Sequence, residues 1–326
     1  MQVRLRWLLA SWLGMTLLLS SGAASAQVMP VPADNELTAD RVSLGWQLFF
    51  DKRLSGDRTV SCATCHEPLR GFTDNRRTAV GVRGLVGIRN APTIIGACNQ
   101  LRQFHDGRAL LLEAQALGPI QAANEMGNTL QGAVNAIAAV PYYRAEFARV
   151  YGNGVTAANI AKSLAAFERT ISSTDAPVDR RLAGDTWALN AQQERGFAIF
   201  NAVGCSECHN GPDFRDGLFH RTGTSIGESD QGRFTITKRN GDFKAFKTPT
   251  LREVGRTNPY FHNGRAARLI DVVAFYNAGG DPRDRQKDPR IRPLGLDNQQ
   301  QLDLAEFLRT GFLGANYPLV RAPALP

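Results

Sequence analysis

The pentapeptide Cys62-Ala63-Thr64-Cys65-His66 has a counterpart in Cys205-Ser206-Glu207-Cys208-His209. Two thiols separated by two residues can each add to a vinyl group along one edge of a haem, and the histidine that follows can swing beneath the ring to the iron. Zinc sites and local disulfides also use CxxC, but neither requires a histidine at the same offset in both copies. Two covalently bound haem c groups, one in each half, are therefore the constraint around which the chain must fold. Its 326 residues leave room for two domains.

The first 26 residues have another purpose. Arg4 and Arg6 precede an apolar run from Trp7 to Leu19, too short for a bilayer span, and Ala24-Ser25-Ala26 offers small residues for cleavage. This is the pattern of a signal peptide, and it predicts an exported, periplasmic protein with no membrane span after cleavage. Loss of Arg4 and Arg6 lowers the formal net charge of +8 by two. Four haem propionates would offset most of what remains. Basic residues are interspersed with acids along the chain, which argues against nucleic acid as a partner. Four of the five cysteines belong to the two motifs, leaving Cys98 in an apolar stretch as a buried, inert thiol.

Leu44-Gly45 and Leu48-Phe49-Phe50 predict a helix leading into the first motif, and Gly196, Ile199 and Phe200 stand in the same relation to the second. The echo points to two related haem domains. A further helix begins at Thr156, a suitable N-cap, and carries Ile160, Leu164, Phe167 and Ile171 on one face. Ser173 to Asp185, with Pro177 and Gly184, is the expected connection between halves. Asn210 to Phe246 is expected to be a long surface excursion, and Asp281 to Arg292 a solvated loop. A last helix starts near Asp297 and aligns Leu304, Phe307 and Leu308. Strand alternation is scarce, so the fold class is mainly α. The division is a leader at 1–26, an N-terminal domain at 27–185 and a C-terminal domain at 186–326.

What a haem iron does depends on its sixth ligand. The four methionines are Met1, Met15, Met29 and Met126, so none falls in the C-terminal half. Beyond the motifs the histidines are His105, His220 and His262, and none lies between His66 and His105. The loop after the first motif therefore supplies no imidazole.

The stretches LGWQLFFDKRLSGDRTVSCATCHEP, FHDGRALLLEAQALGPIQAANEM, GCSECHNGPDF, FKTPTLREVGRTNPYFHNG and VVAFYNAGG, with others covering most of the chain in order, resemble the bacterial di-haem cytochrome c peroxidase family, and within it the MauG-like branch. The resemblance implies two cytochrome c-like domains, with His66 and His209 as proximal ligands. It implies an open, peroxide-reactive N-terminal haem with Glu125 as acid/base and Gln115 as the distal glutamine. A carboxylate there can take a proton from one peroxide oxygen and return it to the other. Tyr276 falls where the MauG-like branch ligates its second haem with tyrosine, and Asn90, Thr257 and Pro259 match the family's calcium site. His262 matches a histidine near the second haem, read as a hydrogen-bonding or packing residue. His105 stands where the family usually has tryptophan, which puts an aromatic electron hop in doubt, and ligation by His105 is the minor alternative. The expected partners are hydrogen peroxide and either a small redox donor, a c-type cytochrome or cupredoxin, or a protein substrate. A di-haem electron carrier without peroxidase activity is the rival reading.

Overall fold

The computed structural model describes residues 31–326. The leader read at residues 1–26 lies outside the described residues. In the N-terminal half, α1 (Ala39–Phe50) leads to α2 (Cys62–Cys65), and α3 (Leu112–Gln121), α4 (Leu130–Ala138), α5 (Pro141–Tyr151) and α6 (Ala157–Glu168) follow. The C-terminal half adds α7 (Pro177–Leu182), α8 (Ala191–Ala202), α9 (Phe234–Thr237), α10 (Leu269–Asn277) and α11 (Asn298–Thr310). The extended structure includes one short antiparallel pair, β1 (Phe219–His220) with β2 (Phe246–Lys247), in which Phe219 faces Lys247. The fold is mainly α, as expected from the scarcity of alternating patterns.

Local signals start the helices. Thr38 caps α1 by accepting from the Arg41 N–H at 3.3 Å, and Thr156 caps α6 by accepting from the Asn159 N–H at 3.1 Å. Asn190 and Gln193 form a reciprocal capping box on α8, and Asp297 with Gln300 does the same on α11. Each half then crosses two helices at a glycine, α1 with α6 and α8 with α11. A Cβ built on Gly45 of α1 would lie 1.9 Å from the Ser163 carbonyl oxygen and 2.8 Å from Phe167 Cβ on α6. One on Gly196 of α8 would lie 2.2 Å from the Asp303 carbonyl oxygen and 2.6 Å from Phe307 Cβ on α11. Only hydrogen at these positions lets the backbones meet, so the echo read around the two motifs is an echo of helix crossings.

The structure exposes a second repeat. Phe104-His105-Asp106-Gly107-Arg108-Ala109 and Phe261-His262-Asn263-Gly264-Arg265-Ala266 form the same turn. Phe104 and Phe261 have φ of 67° and 69°, and bridges pair Gln103 with Ala109 and Tyr260 with Ala266. Each turn feeds a helix, α3 or α10, begun by Leu112 or Leu269 at the same distance from its phenylalanine.

Two buried clusters form the cores. The first joins α1, α3 and α6 through Leu48, Phe49, Ile120, Ile160 and Leu164, and the second joins α8, α10 and α11 through Phe200, Val273, Leu304 and Phe307. The chain crosses the expected division in both directions. Ala176 and Val178, upstream of Asp185, belong to the second core, while Tyr317 and Val320 return to pack on the first. Trp46 Nε1–H donates to the Arg321 carbonyl at 2.8 Å, and the Tyr317 hydroxyl donates to the Pro68 carbonyl.

Within the stretch read as the connection between halves, Ser173–Asp185, Pro177 opens α7 and Asp179 receives Arg252. Two expectations need correction. Asn210–Phe246 is not a surface excursion: Phe214, Ser225, Asp230 and Ala245 are buried. Long-range polar contacts order this stretch, including Asn99 with Asp213 at 2.9 Å and Arg89 with Asp230 at 2.7 Å. The charged loop at Asp281–Arg292 is likewise partly ordered, since buried Asp284 pairs with Arg221 at 2.8 Å.

Candidate active site

Both motifs place their histidine in one local geometry. His66 Nδ1 donates to the Phe72 carbonyl at 3.1 Å, and His209 Nδ1 donates to the Phe214 carbonyl at 3.0 Å. Phe72 and Phe214 have φ of 57° and 50°, a left-handed conformation uncommon away from glycine. It aims each carbonyl back at the imidazole. A bond on Nδ1 fixes the ring and leaves Nε2 as the atom for a metal. Burial lowers the pKa of both histidines, favouring the neutral form a ligand needs.

None of the four motif cysteines is in a disulfide. Burial raises Cys62 well above the ordinary thiol range, and raises Cys65 and Cys205 to about 11. Glu113 Oε2, Arg169 Nη1 and Arg215 Nη1 are buried without a hydrogen-bond partner, on guanidinium side chains only 9% and 5% exposed. Free guanidinium donors inside the protein suit propionates, and unbridged thiols beside an oriented imidazole suit a haem edge. The residues present therefore fit the group that the motifs imply.

Glu125 follows α3, its N–H donating to the Ala122 carbonyl at 2.9 Å and its carbonyl accepting from the Val82 N–H at 2.8 Å. Burial raises its carboxyl pKa, against the pull of Arg108. Its charge contributes to raising the Cys65 thiol, after burial and Asp74. Gln115 is half-buried on α3, one turn before Gly118, which faces the Phe104 ring. Pro119 stands inside α3 and has no N–H to give the Gln115 carbonyl four residues back.

Tyr276, on α10, packs against Phe261 and Phe275 at ring-centroid distances of 6.1 and 5.4 Å. Burial first, then Cys205, hold its phenol well above the usual tyrosine range, while a bond with Thr222 opposes them. The tyrosine is thus beside the second motif. In the first copy the residue at the same distance from the turn is Pro119, which carries no donor atom.

The other histidines are engaged elsewhere. His105 Nε2 donates to the Asn90 carbonyl at 3.0 Å, and burial lowers its pKa to about 3. His262 is buried, stacks on Phe246 at 3.7 Å and contacts Ser225 and Glu228, each at 3.3 Å. It is a packing and hydrogen-bonding residue, as read. His220 sits between Asp216 and Asp288, each at 2.8 Å. At the seam between halves, the Asn90 N–H donates to the His262 carbonyl at 2.7 Å and its amide nitrogen to the Arg76 carbonyl at 2.7 Å, leaving the amide oxygen for a cation. Asn75 takes the carbonyls of Arg256 and Asn258, at 3.0 and 2.6 Å, which alternate along the chain with Thr257 and Pro259. Cys98, expected to be buried, is only half-buried, although burial still raises its pKa.

Sequence reasoning missed the Phe72 and Phe214 carbonyls, Arg108 and Glu168. Glu168 is 6% exposed at the end of α6, and burial lifts its pKa to about 8. The first three gave no motif of their own, although the repeated turn contained Arg108.

The sequence profile described as di-haem cytochrome c peroxidase matches residues 39–187. The cytochrome c551 peroxidase of Nitrosomonas europaea is 38% identical over 93% of this chain and 89% of its own length. The methylamine utilization protein MauG of Methylorubrum extorquens is 37% identical over 91% and 85%. Among solved structures, a MauG-like protein associated with microbial copper homeostasis superposes with a TM-score of 0.81 at 29% identity, covering 89% of this chain and 94% of that one. With its two motifs in matching helical halves, the chain belongs to the di-haem cytochrome c peroxidase family and is a di-haem peroxidase.

Proposed function

We propose that the protein reduces hydrogen peroxide at a haem c held by Cys62, Cys65 and His66, with a second haem c held by Cys205, Cys208 and His209 and ligated by Tyr276. When bound, haem would supply a redox-active iron able to react with peroxide and hold oxidising equivalents. Glu125, poised by burial, accepts a proton from one peroxide oxygen and returns it to the other, while the Gln115 amide hydrogen-bonds the bound peroxide. Phe72 fixes the His66 ring throughout.

The difference between the two copies supports this division of labour. Where the second half offers Tyr276, the first offers Pro119 and brings a carboxylate close by instead. Burial disfavours a charged Tyr276 phenolate, so a cation within bonding reach is what would deprotonate it. A phenolate is a hard anionic ligand that stabilises oxidised iron, which suits storage of oxidising equivalents. Asn90, Thr257 and Pro259 would supply hard oxygen donors to calcium at the seam. A haem in the C-terminal half would be the point of entry for electrons from a redox protein, a c-type cytochrome or cupredoxin, or from a protein substrate. The leader supports export to the periplasm. Among the described residues no helix is long and apolar enough to cross a membrane.

Stopped-flow addition of peroxide to the fully oxidised holoprotein tests the reading. A high-spin ferric signal and a prompt spectral change without prior reduction are expected. Two low-spin haems inert to peroxide would overturn it.

A further inference from the structure

We infer that the imidazolium of His220, clamped between Asp216 and Asp288, tunes the reduction potential of the second haem and holds it above the value that anionic surroundings alone would set. The inference rests on the proposed reading in which Cys205 and Cys208 carry that haem. His220 belongs to β1, and ligand atoms of His220, Asp216 and Cys208 all lie within 4.8 Å of one another. The ring therefore stands beside a sulfur that would tether the haem. Two residues further on, Thr222 reaches the Tyr276 phenol, so one short stretch of chain borders the second site from its cysteine to its proposed ligand.

Hydrogen-bond satisfaction fixes the charge. His220 Nε2 lies 2.8 Å from an Asp216 oxygen, and Nδ1 lies 2.8 Å from an Asp288 oxygen. Against the effect of burial, the bond with His220 lowers the Asp216 pKa, and a bond with Arg290 lowers that of Asp288, so both carboxyls are ionised and can only accept. A neutral ring has one N–H and would turn a lone pair on the other carboxylate, whereas an imidazolium satisfies both. The Arg290 guanidinium is the more distant neighbour of Nδ1, at 3.1 Å, and bonds the same Asp288 carboxylate at 2.7 Å. Asp216 first, then the Cys208 sulfur and, after the opposing effect of burial, Asp288 push the His220 pKa up to about 10. A thioether at Cys208 leaves both carboxylates in place. The His220 and Asp216 side chains are only 9% exposed, so water screens the charge weakly.

The first half has the carboxylate without the cation. Asp74 follows the left-handed Phe72 by two residues, as Asp216 follows Phe214, and each aspartate acts on the second cysteine of its motif. Four residues on, where the second half has His220, the first has Thr78. Asp74 is buried and accepts from the Arg76 N–H at 3.0 Å. Arg76 also acts on Cys65, but from an exposed position where water screens it. A carboxylate beside a haem stabilises the oxidised iron, and a cation paired with it cancels that pull and favours the added electron. The proposed Tyr276 phenolate pulls in the same direction as the carboxylates. His220 thus keeps the second haem within reach of an electron donor.

The test is a redox titration of the holoprotein, with the two haems resolved by their separate ferric electron paramagnetic resonance signals. His220→Gln keeps a hydrogen-bonding side chain and removes the charge. It should stabilise the oxidised form of the second haem by about tenfold, a fall of about 59 mV in its one-electron midpoint, with the first haem unmoved. His220→Lys, which restores a cation, should bring the midpoint back towards wild type. A purely structural clamp predicts that both variants shift alike or not at all. Either result, or an equal shift of both haems, would sink the proposal. Mass spectrometry of proteolytic peptides, run in parallel, should find haem on the peptide carrying Cys205 and Cys208 in wild type and in both variants. Its absence from wild type would overturn the two-haem reading and this inference with it, whereas attached haem with an unmoved midpoint overturns the inference alone.

Discussion

In the N-terminal half, the turn at Phe104–Ala109 feeds a helix that carries Gln115, is interrupted by Pro119 and leads to Glu125. In the C-terminal half, the turn at Phe261–Ala266 feeds a helix carrying Tyr276, with Asp281 and its partner Arg283 beyond it. The helix crossing, the left-handed phenylalanine and the Nδ1 bond are shared. Among the differences, the residue at the same distance from the turn is Pro119 in one half and Tyr276 in the other. On the proposed reading, a duplicated scaffold would leave the two halves free to differ in chemistry, because orientation of the motif histidine is already solved by the backbone.

The sharpest break in that comparison is Glu125→Gln. It should slow the peroxide step by about 10²–10⁴-fold in stopped-flow measurements and leave both haems attached. An unchanged rate would remove the carboxylate from the chemistry. Next come Gly45→Ala and Gly196→Ala. Each forces a carbon into a carbonyl of the facing helix, and each should cost about 1–3 kcal/mol in denaturant unfolding of the holoprotein. A large loss in one alone would show that the crossings are not equivalent.

A smaller asymmetry lies at the end of the last helix of each half, where Glu168 follows Phe167 and Leu308 follows Phe307. Glu168 is buried and its folded-state pKa, about 8, exceeds its ordinary value of 4.5. The native state therefore binds the extra proton between those values. Its contribution to stability is present below the lower value and is lost as pH rises through about 8. Glu168→Gln should flatten unfolding free energy against pH across that window by an amount of order 1 kcal/mol. A slope unchanged by the substitution would exclude this group. The least effect on peroxide chemistry belongs to Tyr276→Phe, which should shift the spectrum of one haem and leave the initial peroxide step within about twofold, since it removes nothing from the first site. An unaltered spectrum would rule out ligation.

The motifs and helices α1, α6 and α11 were legible because each combines a cap with an apolar stripe, signals that act over a few residues. The first motif's neighbourhood could be assembled only from resemblance, which is where Glu125 and Tyr276 came from. The order within Asn210–Phe246 could not be read, since it depends on Asp213 and Asp230 reaching Asn99 and Arg89 in the other half. Propensity is silent about such partners. The left-handed Phe72 and Phe214 were equally hidden, because nothing local marks a phenylalanine for that conformation. The repeated turn was in plain view, but its meaning emerges only when the two phenylalanines are seen to share a backbone state.

The segment from Leu313 onward leaves the second core and lies along the first, where Tyr317 meets Pro68 and Arg321 receives Trp46. The outer wall of the first half is therefore finished by residues that follow the whole second half in sequence, so cutting the chain between the halves would strip Trp46 and Pro68 of their partners.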